Sequence, residues 1–110
     1  DTFACMGPWL VTSEEIPDPH DLAIECRHDG ELVTADNTAN LFYKVPEVLE
    51  FLSGYMTLEP GDIGSMGTAL KASAGSGRAV QNIVLEKTNT LVSVSIERIG
   101  TLENTSRLVV

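Results

Sequence analysis

The pair Asp29-Gly30 constrains this chain more than any other feature. It lies between residues 22–27 and residues 31–35, and the first of these runs alternates apolar and polar side chains. Alternation with a period of two marks a half-buried strand. An Asp-Gly link between two strands predicts a two-residue hairpin turn, because both central residues need positive φ and this pair tolerates it. Antiparallel β-structure follows. Further along, Val92, Val94 and Ile96 face one way while Ser93, Ser95 and Glu97 face the other, a second half-buried strand. Gly100 breaks that run before Thr101-Leu102, Leu108-Val109-Val110 reads as a final strand, and Ile63 opens another that runs to Gly67.

One segment changes period. Val45, Val48, Leu49, Leu52, Tyr55 and Met56 recur at helical spacing, which predicts one short helix around residues 46–56. Pro46 suits its first turn, where a missing N–H costs nothing, and Glu47 complements the positive end of the helix. Its Val48, Leu49 and Leu52 stripe is expected to pack into the core. Pro60-Gly61 makes a turn before Ile63, and residues 69–77, small and polar, read as a mobile loop. The fold class is therefore mainly β (α+β), strands with one helix set among them.

Charge narrows the partners. The 110 residues carry 16 acidic and 7 basic side chains, for a net charge of −9. Eight of the acids lie between Glu14 and Asp36 against Arg27 alone, which predicts a solvated acidic face. Such a face repels polyphosphates and anionic membranes, so neither nucleic acid nor membrane is an expected partner. No apolar run approaches the roughly 20 residues that cross a bilayer. Cys5 and Cys26 have no metal-binding spacing, and with no signal-peptide pattern at the start they read as reduced thiols in a cytoplasmic protein. Cys26 continues the alternation of Leu22 and Ile24 and is expected to be a small core residue.

Asp18-Pro19-His20-Asp21 offers oxygen and nitrogen donors of metal-binding type. Adjacent loop residues seldom converge on one ion, however, and Pro17 and Pro19 stiffen the backbone, so the stretch reads as a rigid structural loop. His28, beside the hairpin turn, is expected to be solvated. Gly75-Ser76-Gly77-Arg78 could cradle an anion with backbone N–H groups, but a bare Gly-Ser-Gly is common in flexible loops and is a weak signal. From the residues alone, no metal ligand and no catalytic residue is assigned.

Five blocks add a resemblance. The first is Asp1-Thr2-Phe3 with Met6-Gly7-Pro8-Trp9 and Val11 through Leu22, with its Ile16-Pro17-Asp18-Pro19-His20-Asp21 core, and the second is the hairpin Gly30-Glu31-Leu32-Val33. Next come Asn37-Thr38 with Phe42 and Val45-Pro46-Glu47, and Thr57-Leu58-Glu59-Pro60-Gly61-Asp62-Ile63 with Gly67-Thr68. Ile99-Gly100-Thr101-Leu102-Glu103-Asn104 closes the series. In this order they resemble the C-terminal part of the catalytic domain of the fumarylacetoacetate hydrolase family. The resemblance implies a mixed β-sandwich or roll, with residues 1–110 as its C-terminal portion and the metal-ligand half upstream of Asp1. It implies a metal-dependent enzyme acting on a small 2-oxo or β-diketo (di)carboxylic acid through an enolate-like intermediate, by C–C hydrolysis, decarboxylation or isomerisation. Aromatic-compound catabolism is the expected setting, a homodimer the expected assembly, and a non-catalytic binding or scaffold protein of the same fold the alternative.

The cofactor so implied is one divalent cation, Mg²⁺ in most members, held by two glutamates of an E-x-E motif and an aspartate. These ligands and an active-site lysine would lie upstream, so this chain alone is expected to be inactive. Within it the resemblance assigns substrate binding to Gly67 and Thr68, with the threonine holding the substrate carboxylate. The chain departs from the family pattern after Thr68, where Ala69 replaces a proline and a longer loop runs to Asn82. Cys5 also stands where many members have proline.

Overall fold

The computed structural model describes residues 4–67 and 89–107. Within them, four strands form one antiparallel sheet: β1 (Ala23–His28), β2 (Glu31–Asn37), β3 (Leu91–Ile96) and β4 (Gly100–Thr105), in the spatial order β2-β1-β3-β4. A single 3₁₀ turn (Thr38–Asn40) follows β2, and one helix, α1 (Val45–Ser53), follows that turn.

The β1–β2 hairpin turns as its sequence requires. Asp29 has φ 49° and Gly30 φ 83°, the pair of positive values that a tight primed turn needs. Asp29 also ties the turn to β3. Its N–H donates to Leu91 O at 2.8 Å and its Oδ1 accepts from Leu91 N at 2.8 Å. The register shifts between Cys26 and Arg27, which pair with Thr34 and Leu32, so the extra residue, Val33, bulges on β2.

The register sorts the sheet into two faces. Ile24 pairs with Ile96, Cys26 with Val94 and His28 with Val92, while Leu102 on β4 lies beside Val94. Alternation puts all of them on one face, which is the apolar one. The opposite face carries Glu25, Arg27, Ser93, Ser95, Thr101 and Glu103. There Arg27 forks onto Glu25 at 2.9 Å, and the Ser95 and Thr101 hydroxyls share a hydrogen bond of 2.7 Å.

The core gathers where the 11–22 segment meets the end of the sheet. Leu22 is 3 % exposed, Ile16 7 % and Cys26 9 %. Burying a side chain such as Leu22 contributes about 1.5–3 kcal/mol. Buried Thr38 closes this corner: its Oγ1 accepts from Leu22 N and its N–H donates to Leu22 O, each at 2.9 Å. Burial raises the pKa of the Cys26 thiol above its usual value, in keeping with its expected place as a small core residue.

Several expectations need correction. The helix stops at Ser53, with Gly54 as its C-cap, short of residue 56. Its stripe does not reach a core: no residue of α1 is buried, Leu49 is 49 % exposed, and the helix makes at most marginal contact with the strands. Helical periodicity reports an apolar face but cannot say which surface covers it. Residues 63–67 join no strand ladder among the described residues. An apolar residue beside a turn signals extended backbone, and extended backbone becomes a strand only with a partner.

Gly100 does not simply end a strand. With φ 130° it opens β4, which pairs along the whole of β3. His28 is not fully solvated either: its Nε2 is buried and makes no hydrogen bond. The expected final strand at Leu108-Val109-Val110 and the loop of residues 69–77 lie outside the described residues.

No helix among the described residues is long and apolar enough to cross a membrane.

Candidate functional site

The arm that leads to Gly67 grows out of the end of α1. Gly54 N–H donates to Glu50 O and Phe51 O, and Tyr55 N–H to Leu52 O, so the last turn tightens before the chain leaves it. Residues 59–62 then form a closed turn. Glu59 N–H donates to Asp62 Oδ2 at 2.9 Å and Asp62 N–H to Glu59 O at 3.0 Å, with Gly61 at φ 103°. From there residues 63–67 run outward, with Ile63 68 % exposed.

Gly67 has φ 77°, and a Cβ built on it would meet nothing within 4 Å. Glycine is therefore required by backbone conformation here and not by a neighbouring group. Thr68, the expected carboxylate-binding residue, lies outside the described residues, as does the Gly75-Ser76-Gly77-Arg78 stretch.

The Asp18–Asp21 loop is a joint between three parts of the fold. Glu15 N–H and Ile16 N–H both donate to Thr12 O, which turns the chain and buries Ile16. Asp18 Oδ1 accepts from the His20 backbone N–H at 2.9 Å and lies 3.0 Å from His20 Nδ1. The His20 backbone N–H, with the ring nitrogen adding to it, holds the Asp18 carboxyl below its ordinary pKa. Asp21 Oδ1 accepts from Asn37 Nδ2 at 3.0 Å. On its far side, His20 Nε2 accepts from Val45 N–H at 3.0 Å, so the loop reaches the first residue of α1.

That last bond answers a local need. Lys44 precedes α1 and has no side-chain acceptor with which to cap it. Glu47 reaches back to accept from Lys44 N–H at 2.7 Å, and Pro46 has no N–H to satisfy. Val45 N–H takes its acceptor from His20, 25 residues earlier in the chain. Sequence reading identified the loop as structural but missed this role. The only signal for it was a helix start that lacked a cap of its own.

Two concavities flank the joint. One, of about 440 Å³, lies between the 11–20 segment and the start of α1, with His20, Pro46 and Ile99 in its wall. The other, of about 500 Å³, sits on the polar edge of the sheet between Trp9, Glu25, Glu97 and Arg98. Its charged groups are already engaged. Glu97 Oε2 accepts from Ala23 N–H, Glu25 pairs with Arg27, and Arg98 donates to Glu15 O.

Among the described residues, no group of three or more His, Cys, Asp or Glu side chains converges as a cation site would require. Asp18, His20 and Asp21 bond within the loop and to β2 and α1, and do not converge on one point. The described residues thus do not fit a Mg²⁺ centre.

The turn at residues 59–62, the glycine at positive φ that follows it, and the joint in front of α1 can be set beside known proteins. The family model described as fumarylacetoacetate hydrolase C-terminal matches residues 1–107. The chain belongs to the fumarylacetoacetate hydrolase family. It is 37% identical over 101 residues to a 2,4-didehydro-3-deoxy-L-rhamnonate hydrolase of a Sphingomonas species, covering 92% of this chain and 34% of that protein. It is 38% identical over 104 residues to a mitochondrial oxaloacetate tautomerase of Rattus norvegicus, covering 94% of this chain and 32% of that one. A solved structure from Mycobacterium abscessus superposes with a TM-score of 0.69 at 37% identity, over 93% of this chain and 35% of the other. The chain thus spans about a third of the length of these relatives. The expected family and α+β fold class both hold.

Proposed function

We propose that the protein carrying this chain is a metal-dependent enzyme that converts a small 2-oxo or β-diketo (di)carboxylic acid through an enolate-like state. The observation that carries this reading is family membership over residues 1–107, with one relative named a hydrolase and another a tautomerase of small carboxylic acids. In this reading the chain contributes the carboxylate-binding part of the site. Gly67 supplies the turn in the backbone and Thr68 the hydroxyl that donates to the carboxylate. The divalent cation, Mg²⁺ by resemblance, is assigned to ligands outside this chain. A homodimer, a cytoplasmic location and a place in aromatic-compound catabolism belong to the same proposal.

The test is turnover by the complete protein of a panel of oxo and diketo acids, with added Mg²⁺ and after treatment with a chelator. Turnover that disappears on chelation and returns with Mg²⁺ supports the reading. Binding of these acids without turnover under any metal condition would favour the non-catalytic alternative. Turnover indifferent to chelation would remove the metal from the proposal.

A further inference from the structure

We propose that His20 is a pH-operated latch on α1, holding the helix while the ring is neutral and releasing it when the ring gains a second proton. The geometry fixes the neutral tautomer. Val45 N–H can only donate, so the His20 Nε2 that it meets at 3.0 Å must offer a lone pair. The single ring proton then sits on Nδ1, which faces Asp18 Oδ1 at 3.0 Å. The same carboxylate oxygen accepts the His20 backbone N–H at 2.9 Å, so ring and backbone are oriented together.

A second proton changes only one end of this arrangement. Nδ1–H keeps its place on Asp18, and the bond becomes charge-assisted. Nε2 turns from acceptor to donor and now opposes the N–H of Val45. The ring's positive charge also faces the positive end of the α1 dipole.

The charged groups around the ring divide cleanly. Asp18 lies on the Nδ1 side of the ring, and the Lys44–Val45 backbone at the start of α1 lies on the Nε2 side. The Lys44 ammonium is itself anchored on Ala39 O at 2.6 Å. Glu47 is committed to Lys44 N–H and Asp21 to Asn37, so neither carboxylate bonds the ring. Release matters because little else within the described residues fixes α1: none of its residues is buried and it touches the strands marginally. The arm that carries Gly67 follows from this helix, so the latch sets where that arm begins.

The experiment measures exchange protection of the Val45 amide in the complete protein at about pH 7.5 and about pH 5, with intrinsic rates divided out, on either side of the usual histidine range. Wild type and His20→Gln are compared, since a glutamine oxygen can accept from Val45 but does not titrate. Protection in the wild type should fall about tenfold or more at the lower pH, while His20→Gln changes less than about twofold. Nitrogen NMR of the wild-type ring at neutral pH should show the Nδ1–H tautomer, a readout that does not depend on the variant folding. Equal protection at both pH values in the wild type, the same fall in His20→Gln, or an Nε2–H tautomer would each overturn the latch.

Discussion

The indole of Trp9 lies against Gly100, so closely that a Cβ on Gly100 would sit 2.9 Å from Trp9 Cζ2. Two constraints meet at this glycine: the ring leaves no room, and φ 130° suits no other residue. Gly100→Ala should therefore destabilise the protein by about 1–3 kcal/mol in chemical denaturation. In a Trp9→Ala background the steric part of that cost should vanish and the backbone part persist. An alanine at residue 100 that costs nothing in either background would show the contact to be loose.

Asp29 carries a similar double load. It holds φ 49° in the hairpin turn and accepts Leu91 N–H. Asp29→Ala should cost about 1–3 kcal/mol, because it loses a bond to a charged acceptor as well as tolerance of positive φ. Asp29→Asn keeps both properties in part and should recover much of the loss. Equal losses in the two variants, measured by urea unfolding, would contradict this account of the turn.

These two positions show what was legible. Asp29-Gly30 announces its conformation because turn chemistry is local, and the structure follows it. Gly100 looked like a strand breaker, since nothing in Ile99-Gly100-Thr101 says that Trp9 will fold back over it from more than ninety residues away. The periodicity of α1 was readable, but its covering surface was not: Val48 and Leu52 are half-buried while Phe51 and Tyr55 are exposed. At the site, the family's blocks pointed to Gly67, whose positive φ fits glycine. His20 stayed hidden because its acceptor role depends on a donor 25 residues away.

The helix face yields a graded expectation. Leu52→Ala should cost about 1 kcal/mol, short of the 2–5 kcal/mol of a fully buried leucine. Phe51, at 64 % exposure, should tolerate replacement by serine within about 0.5 kcal/mol. A loss of several kcal/mol at Phe51 would show that something covers this face in solution.

Thiol chemistry separates the two cysteines. Cys5 is exposed and should react promptly with a thiol reagent, whereas buried Cys26, its pKa raised, should react only as fast as the protein opens. The folded state favours the neutral Cys26 thiol, so its contribution is whole below the unfolded pKa and fades as pH rises through the higher folded value. Asp18 runs the other way: its lowered pKa contributes above the unfolded value and is lost as acid titrates the folded carboxyl. Labelling of Cys26 at the rate of Cys5 in the native protein would contradict its place in the core.

The central claim is that this chain binds the substrate's carboxylate through the residue after Gly67, and kcat/KM of Thr68→Ala in the complete protein tests it most directly. A charge-assisted hydrogen bond worth about 1.5–3 kcal/mol predicts a fall of roughly 10- to 150-fold, with much of it restored by Thr68→Ser. Unfolding midpoints measured alongside should barely move, which separates lost binding from lost structure. Undiminished kcat/KM in a folded Thr68→Ala protein would contradict the claim.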